Sequence, residues 1–146
     1  MNAFSCNFDY YRAYHSIMNT VTSEQQTFID GFIHACIQSV RLQNGLYMDS
    51  FLSDDFKWIT AEGTRLDRML FIHRSELRKA DEQFHASFQP SSVFSKGAIT
   101  VINGIWKERF VRDTQYTENE QWRTLVICSD NHGLQIAFGQ ETNIIS

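Results

Sequence analysis

The run AITVINGIWKERFVRD at residues 98–113, followed by QWRTLVICS at 121–129 and LQIAFGQETNI at 134–144, decides the fold. Its apolar residues are mostly β-branched or aromatic and recur with a period near two, the spacing of strands and not of helices. The connections at 114–120 and 130–133 are turn-like in composition, so the three strands form an antiparallel meander. Gly104 interrupts the longest strand and is expected to mark a bulge or a bend.

Folding each hairpin at the middle of its turn sorts the side chains onto two faces. One face collects Trp106, Leu125, Ile127, Leu134, Ile136 and Phe138. The other collects Ile99, Val101, Ile105, Val111, Trp122, Val126, Cys128 and Ala137. A sheet wet on one side alternates apolar with polar residues, whereas both faces here are apolar. Helices cover one face, and a second copy of the chain is expected on the other, giving a homodimer through the outer sheet face. A register shift at Gly104 is the competing explanation of the second apolar face.

Upstream, residues 84–94 read as an irregular strand interrupted by Pro90, and residues 65–80 as a helix. Residues 55–61 alternate as a strand and turn at Glu62-Gly63. A short helix is expected over 46–52. Before it, Phe28, Ile29, Phe32, Ile33, Cys36, Ile37 and Val40 draw the apolar stripe of a long helix, capped by Thr22 or Ser23 and stopped at Asn44-Gly45. Residues 1–20 are expected to form an arm or short helix, and residues 21–146 one domain. The fold class is therefore α+β: a curved antiparallel sheet packed on a long N-terminal helix and two further helices.

Composition narrows the partners. A net charge of -4 and a pI near 5.7 argue against nucleic acid or an anionic membrane, both of which select basic surfaces. The sequence starts without a secretory signal and lacks a stretch long and apolar enough to span a bilayer, so a cytoplasmic location is expected. Cys6, Cys36 and Cys128 are isolated, and the latter two read as small buried hydrophobes. The histidines lack metal-binding spacing, and neither a nucleophile elbow nor a Gly-rich phosphate loop is present. Neither a metal nor a cofactor is expected.

The passage from Phe51 to Thr64, FLSDDFKWITAEGT, resembles the segment that ends the short helix and enters the first strand in the nuclear transport factor 2-like superfamily. That superfamily includes ketosteroid isomerase-like and SnoaL-like proteins. Leu66-Asp67-Arg68, Gly104-Ile105-Trp106, Trp122-Arg123 and Ile136-Ala137-Phe138 are similar to its following helix and long strands. The resemblance spans residues 23–144 and implies a cone with a pocket at its open end. It also implies, for isomerase-like members, a carboxylate base after the first strand. That position falls on or near Thr60, which cannot serve as a base at neutral pH, and Glu62, two residues along, is a weak substitute.

The candidate chemistry is correspondingly thin. His73, His85 and Glu62 are the acid–base candidates, with Tyr47 as a possible hydroxyl donor. Asp30 and His34 stand four apart on the polar side of the long helix and read as a solvated pair. Asp54 and Asp55 are adjacent and diverge in an extended segment. Tyr47, Phe56, Trp58 and Trp106 are the expected pocket-lining residues. The leading expectation is a domain that binds a small hydrophobic ligand. The alternatives are an isomerase, cyclase or dehydratase acting on a hydrophobic carbonyl compound, and a dimeric interaction module.

Overall fold

Thr22 and Gln25 satisfy each other's backbone N–H groups. Thr22 Oγ1 accepts from the Gln25 N–H and the Gln25 side-chain oxygen accepts from the Thr22 N–H, both at 3.1 Å. This capping box starts helix α1 (Ser23–Arg41). The computed structural model describes residues 21–79 and 81–144, so the expected arm over residues 1–20 lies outside the described residues. Ile29, Phe32, Ala35 and Val40 bury the apolar face of α1, and Gln25 Nε2 donates to Thr100 Oγ1 at 2.9 Å, tying the helix to the sheet.

The end of α1 differs in detail from the expected terminator. The left-handed residue is Gln43 (φ 51°), and Asn44 instead caps a 3-10 helix over Gly45–Phe51, its side chain accepting from the Leu46 N–H. Gly45 is needed for space: a Cβ there would stand 2.2 Å from the Ile72 carbonyl oxygen.

Strand β1 (Leu52–Ile59) starts earlier than its alternation suggests, and turns through Gly63 (φ 86°) into a short β2 (Arg65–Asp67). Asp67 delays the helix expected from residue 65. Its carboxylate accepts from the Leu70 N–H at 2.8 Å, an N-cap that confines α2 to Arg68–Glu76.

Four long strands follow: β3 (His85–Lys96), β4 (Ile99–Arg112), β5 (Gln115–Asp130) and β6 (Gly133–Asn143). The β4–β5 loop is tighter than its composition implies. Arg112 pairs with Gln115 across Asp113 (φ 51°) and Thr114 (φ 67°), a left-handed pair that matches the twist of the flanking strands.

The sheet is six-stranded and open, in the order β2-β1-β6-β5-β4-β3. Strands β3 to β6 form the expected curved antiparallel run, and β1 joins it in parallel with β6, which makes the whole sheet mixed. Two irregularities shape it. In β3, Pro90 pairs with Gly104 and Ser92 with Asn103, so the extra residue belongs to β3 beside the proline, not to Gly104 itself. In β6, Ile136 pairs with Ile127 and Phe138 with Val126, leaving Ala137 as the extra residue. That bulge moves Phe138 to the outer face, opposite to the side simple alternation assigns it.

The helices cover the inner face. Ile102, Trp106, Leu125, Ile127 and Ile136 join Ile29, Phe32, Val40 and Ile72 in one core. Among the described residues, no helix is long and apolar enough to cross a membrane.

Candidate functional site

Three charged residues stand at inward positions of the last three strands, where apolar side chains are the rule: Glu108 in β4, Arg123 in β5 and Glu141 in β6. Their side chains are only 10%, 10% and 1% exposed. A buried charge is tolerated when paired and hydrogen-bonded, and each of these is.

Glu141 collects donors from three elements. Trp58 Nε1 donates from β1 at 3.0 Å and the Ala61 N–H from the following turn at 3.3 Å. Arg74, on α2, adds a two-nitrogen contact at 2.8 and 3.3 Å. Glu108 accepts from Trp106 Nε1 at 2.9 Å and from Arg78 at 3.2 and 3.3 Å. Arg123 lies between the carboxylates, its Nη2 3.5 Å from Glu141 and 3.7 Å from Glu108. Gln121 accepts from two of its nitrogens and is itself held by Asn143. The guanidinium also lies 4.1 Å from the Trp106 ring centre and 5.3 Å from that of Trp58.

Trp58 reaches this cluster because β6 makes room for it. A Cβ on Gly139 would stand 2.0 Å from the indole, and Phe56 and Phe71 brace the ring from its other sides, with Phe71 4.8 Å away centre to centre.

The cluster forms one wall of a cavity of about 340 Å³. Cys36, Val40, Met48, Phe84 and Phe110 supply apolar wall, while Arg74, Arg78, Arg112, Arg123, Glu108 and Glu141 supply charge. Arginines outnumber glutamates there, so the cavity is locally positive although the chain as a whole is acidic.

Burial acts on the Glu141 carboxyl in the raising direction, but the Arg74 hydrogen bond, the charges of Arg123 and Arg74 and the Trp58 N–H outweigh it. The net effect holds Glu141 below the usual carboxylate range, ionised and weakly basic. Burial draws the Arg123 guanidinium downward, opposed by Glu108 and Glu141. Burial also pushes the Cys36 thiol up to about 12. Cys36 is half-buried at the cavity wall, with its Sγ 3.7 Å from Met48 Sδ, and at neutral pH it is a thiol and not a nucleophilic thiolate.

The residues singled out from sequence are scattered. Trp106 lines the cavity, and Trp58 touches it through Glu141. Phe56 is fully buried behind Trp58, and Tyr47 is 45% exposed on the 3-10 helix. His73 is exposed on α2 with Nδ1 3.3 Å from Glu76, and Glu62 is exposed in the turn after β1. His85 lines a separate hollow with Ser87, Lys107 and Glu118. Thr60 is buried, its hydroxyl accepting from the Thr64 N–H within that turn. Asp30 accepts from Gln26, His34 is exposed, and Asp55 accepts from Ser53. Cys128 is half-buried on the outer sheet face. Among the described residues, no group of His, Cys, Asp and Glu is arranged to hold a metal ion.

Sequence reading missed Glu108, Arg123, Glu141, Arg74 and Arg78. A usable signal existed for the first two: Glu108 follows Trp106 by two and Arg123 precedes Leu125 by two, a charge on the apolar parity of a strand.

A long helix, short helix, strand, helix and curled four-stranded run enclosing a cavity is the nuclear transport factor 2-like, or cystatin-like, fold, and solved structures share it. An NTF2-like protein with a cystatin-like fold from Novosphingobium aromaticivorans superposes with a TM-score of 0.70 at 8% identity, over 83% of this chain and 80% of that one. A domain of unknown function with a cystatin-like fold from Nostoc punctiforme gives 0.68 at 16% identity, over 86% and 80%. The association domain of C. elegans CaMKII gives 0.65 at 10% identity, over 82% and 95%. No protein-family model and no curated protein matches the sequence.

Proposed function

We propose that this chain is a small-molecule binding domain whose cavity takes an organic anion with an apolar portion. The observation that carries this reading is the excess of arginine over glutamate around a 340 Å³ space whose other lining joins Val40, Met48, Phe84 and Phe110 to the polar Ser75, Asn119 and Gln121. Arg74 and Arg123 are the residues assigned to the anionic group, and Phe84, Phe110 and Val40 to the apolar part. The earlier expectation of a purely hydrophobic ligand is thereby narrowed to an amphipathic one.

Binding is favoured over catalysis by the state of the ionisable groups. Glu141 is held as a weakly basic carboxylate and Cys36 as a neutral thiol, so neither is tuned for proton abstraction or attack near neutrality. The test is calorimetry with hexanoate and hexylamine. Hexanoate is expected to bind and hexylamine not; equal binding of both, or of neither, would refute the reading.

A second reading concerns the outer sheet face, and it is compatible with the first. Phe94, Val101, Val126 and Phe138 form one cross-strand row, flanked by Ile105 beside Trp122 and by Ile99 beside Cys128. Ile99 is 49% and Trp122 44% exposed. An apolar face of this kind fits a second copy of the same sheet, since a two-fold axis sets the patch against itself. Structural neighbours described as association domains support the use of this fold in assembly. Light scattering on the eluting protein is expected to give a dimer, and a monomer at micromolar concentration would end this reading.

A further inference from the structure

The cavity does not end at a fixed wall. A second hollow of about 190 Å³ lies next to it, and the two share Val40, Arg78, Phe84, Phe110 and Arg112 as lining residues. A third, of about 300 Å³, shares Lys79, Asp81, Val111 and Asp113 with the second and extends to Thr114 at the tip of the β4–β5 hairpin. The series thus runs from the buried Arg123–Glu141 end toward the hairpin tip.

Arg78 stands at the junction of the first two. Its guanidinium carbon lies 4.7 Å from the Phe84 ring centre and 5.8 Å from that of Phe110, and its Nη1 donates to Glu108. Its side chain is 35% exposed, so its charge returns to water when it leaves Glu108, whose own side chain is 10% exposed. Glu108 does not depend on it alone, because Trp106 Nε1 at 2.9 Å and Arg123 at 3.7 Å remain when Arg78 swings away. The outer walls are steadier: Asp81 accepts from the N–H groups of both Gln83 and Val111 at 2.9 Å.

We propose that the Arg78 side chain is a displaceable partition that sets ligand length. With Arg78 stacked on Phe84 and paired to Glu108, the inner cavity takes a short organic anion. With Arg78 displaced, an unbranched apolar tail runs on along Val40, Phe84 and Phe110 as far as the charged outer part of the second hollow, lined by Lys79, Asp81 and Asp113. The proposal rests on the anion-binding reading and adds the ligand class: a linear carboxylate whose permitted length is decided by one residue.

The experiment is titration of the folded wild-type chain and of Arg78→Ala with butanoate, hexanoate, octanoate and decanoate, followed by Trp fluorescence and calorimetry. Each methylene moved out of water strengthens binding about fourfold. The octanoate-to-butanoate affinity ratio is therefore expected to rise about tenfold or more in Arg78→Ala. An unchanged ratio, with wild type still binding butanoate or hexanoate, overturns the partition and leaves the anion reading standing. No binding of any carboxylate to either folded protein overturns both. If circular dichroism shows Arg78→Ala unfolded, Arg78→Gln, which is shorter and neutral but can still donate to Glu108, decides the same comparison by the same ratio.

Discussion

The two faces of the sheet are made by the same strands and treat water in opposite ways. The inner face is closed over by helices yet carries Glu108, Arg123 and Glu141, each compensated by partners from other elements. The outer face is open yet carries Phe94, Val101, Val126, Phe138 and Trp122. Burial and hydrophobicity are thus inverted at the positions that matter most. Such inversions cost stability in the isolated chain, and the proposed ligand site and the proposed dimer face both fall on them.

The contrast breaks most sharply at Arg123. Arg123→Met leaves two carboxylates facing one another without the central cation, and breaking a buried ion cluster in this way costs about 3–5 kcal/mol. Urea unfolding should show that loss, and a change within ~1 kcal/mol would mean the cluster is not a connected unit.

Gly139→Ala comes next. Its methyl would meet the Trp58 ring, which is fully buried and cannot move without leaving Glu141. A cost of about 1–3 kcal/mol is expected, as for overpacked cores, together with a shift of Trp fluorescence. Stability unchanged in both readouts would refute the close approach.

A smaller effect is expected with pH. Because the folded-state Glu141 pKa is depressed, its stabilising contribution is present above the unfolded carboxyl value, about 4.3. It is lost as pH falls from there through the depressed folded value. Stability of wild type should therefore fall below about pH 4.3 more steeply than that of Glu141→Gln, measured as Tm across the range. Parallel profiles would show that Glu141 is not the group concerned.

The smallest change in chain stability is expected on the outer face. Trp122→Ser should alter unfolding of the monomer by less than about 1 kcal/mol, while light scattering shows the dimer gone. Loss of stability comparable to that of Arg123→Met would erase the distinction between the faces.

Much of this architecture was legible in the chain. The Thr22–Gln25 box, the stripe of α1 and the alternation of β4 to β6 all act within a few residues, and sequence patterns report such local preferences directly. The polar site was less legible. Glu108 and Arg123 could have been noticed as charges on an apolar parity, but Arg74 and Arg78 belong to a segment whose charges resemble an ordinary solvated helix face. The histidines, by contrast, drew notice for their chemistry alone, and the fold carried His73 to the surface and His85 to a different hollow.

Residue order alone settled α1, its N-terminal cap and the existence of the long strands, because capping and alternation are satisfied by neighbours along the chain. Tertiary structure settled which way Glu141 faces. Ala137 is the extra residue between Ile136 and Phe138, and only its pairing with β5 rotates the rest of β6 so that Glu141 meets Trp58, Arg74 and Arg123. A period of two has no memory of a bulge made across the sheet. Nor can it foresee that charges distant in sequence will compensate one another inside a space the apolar side chains leave unfilled.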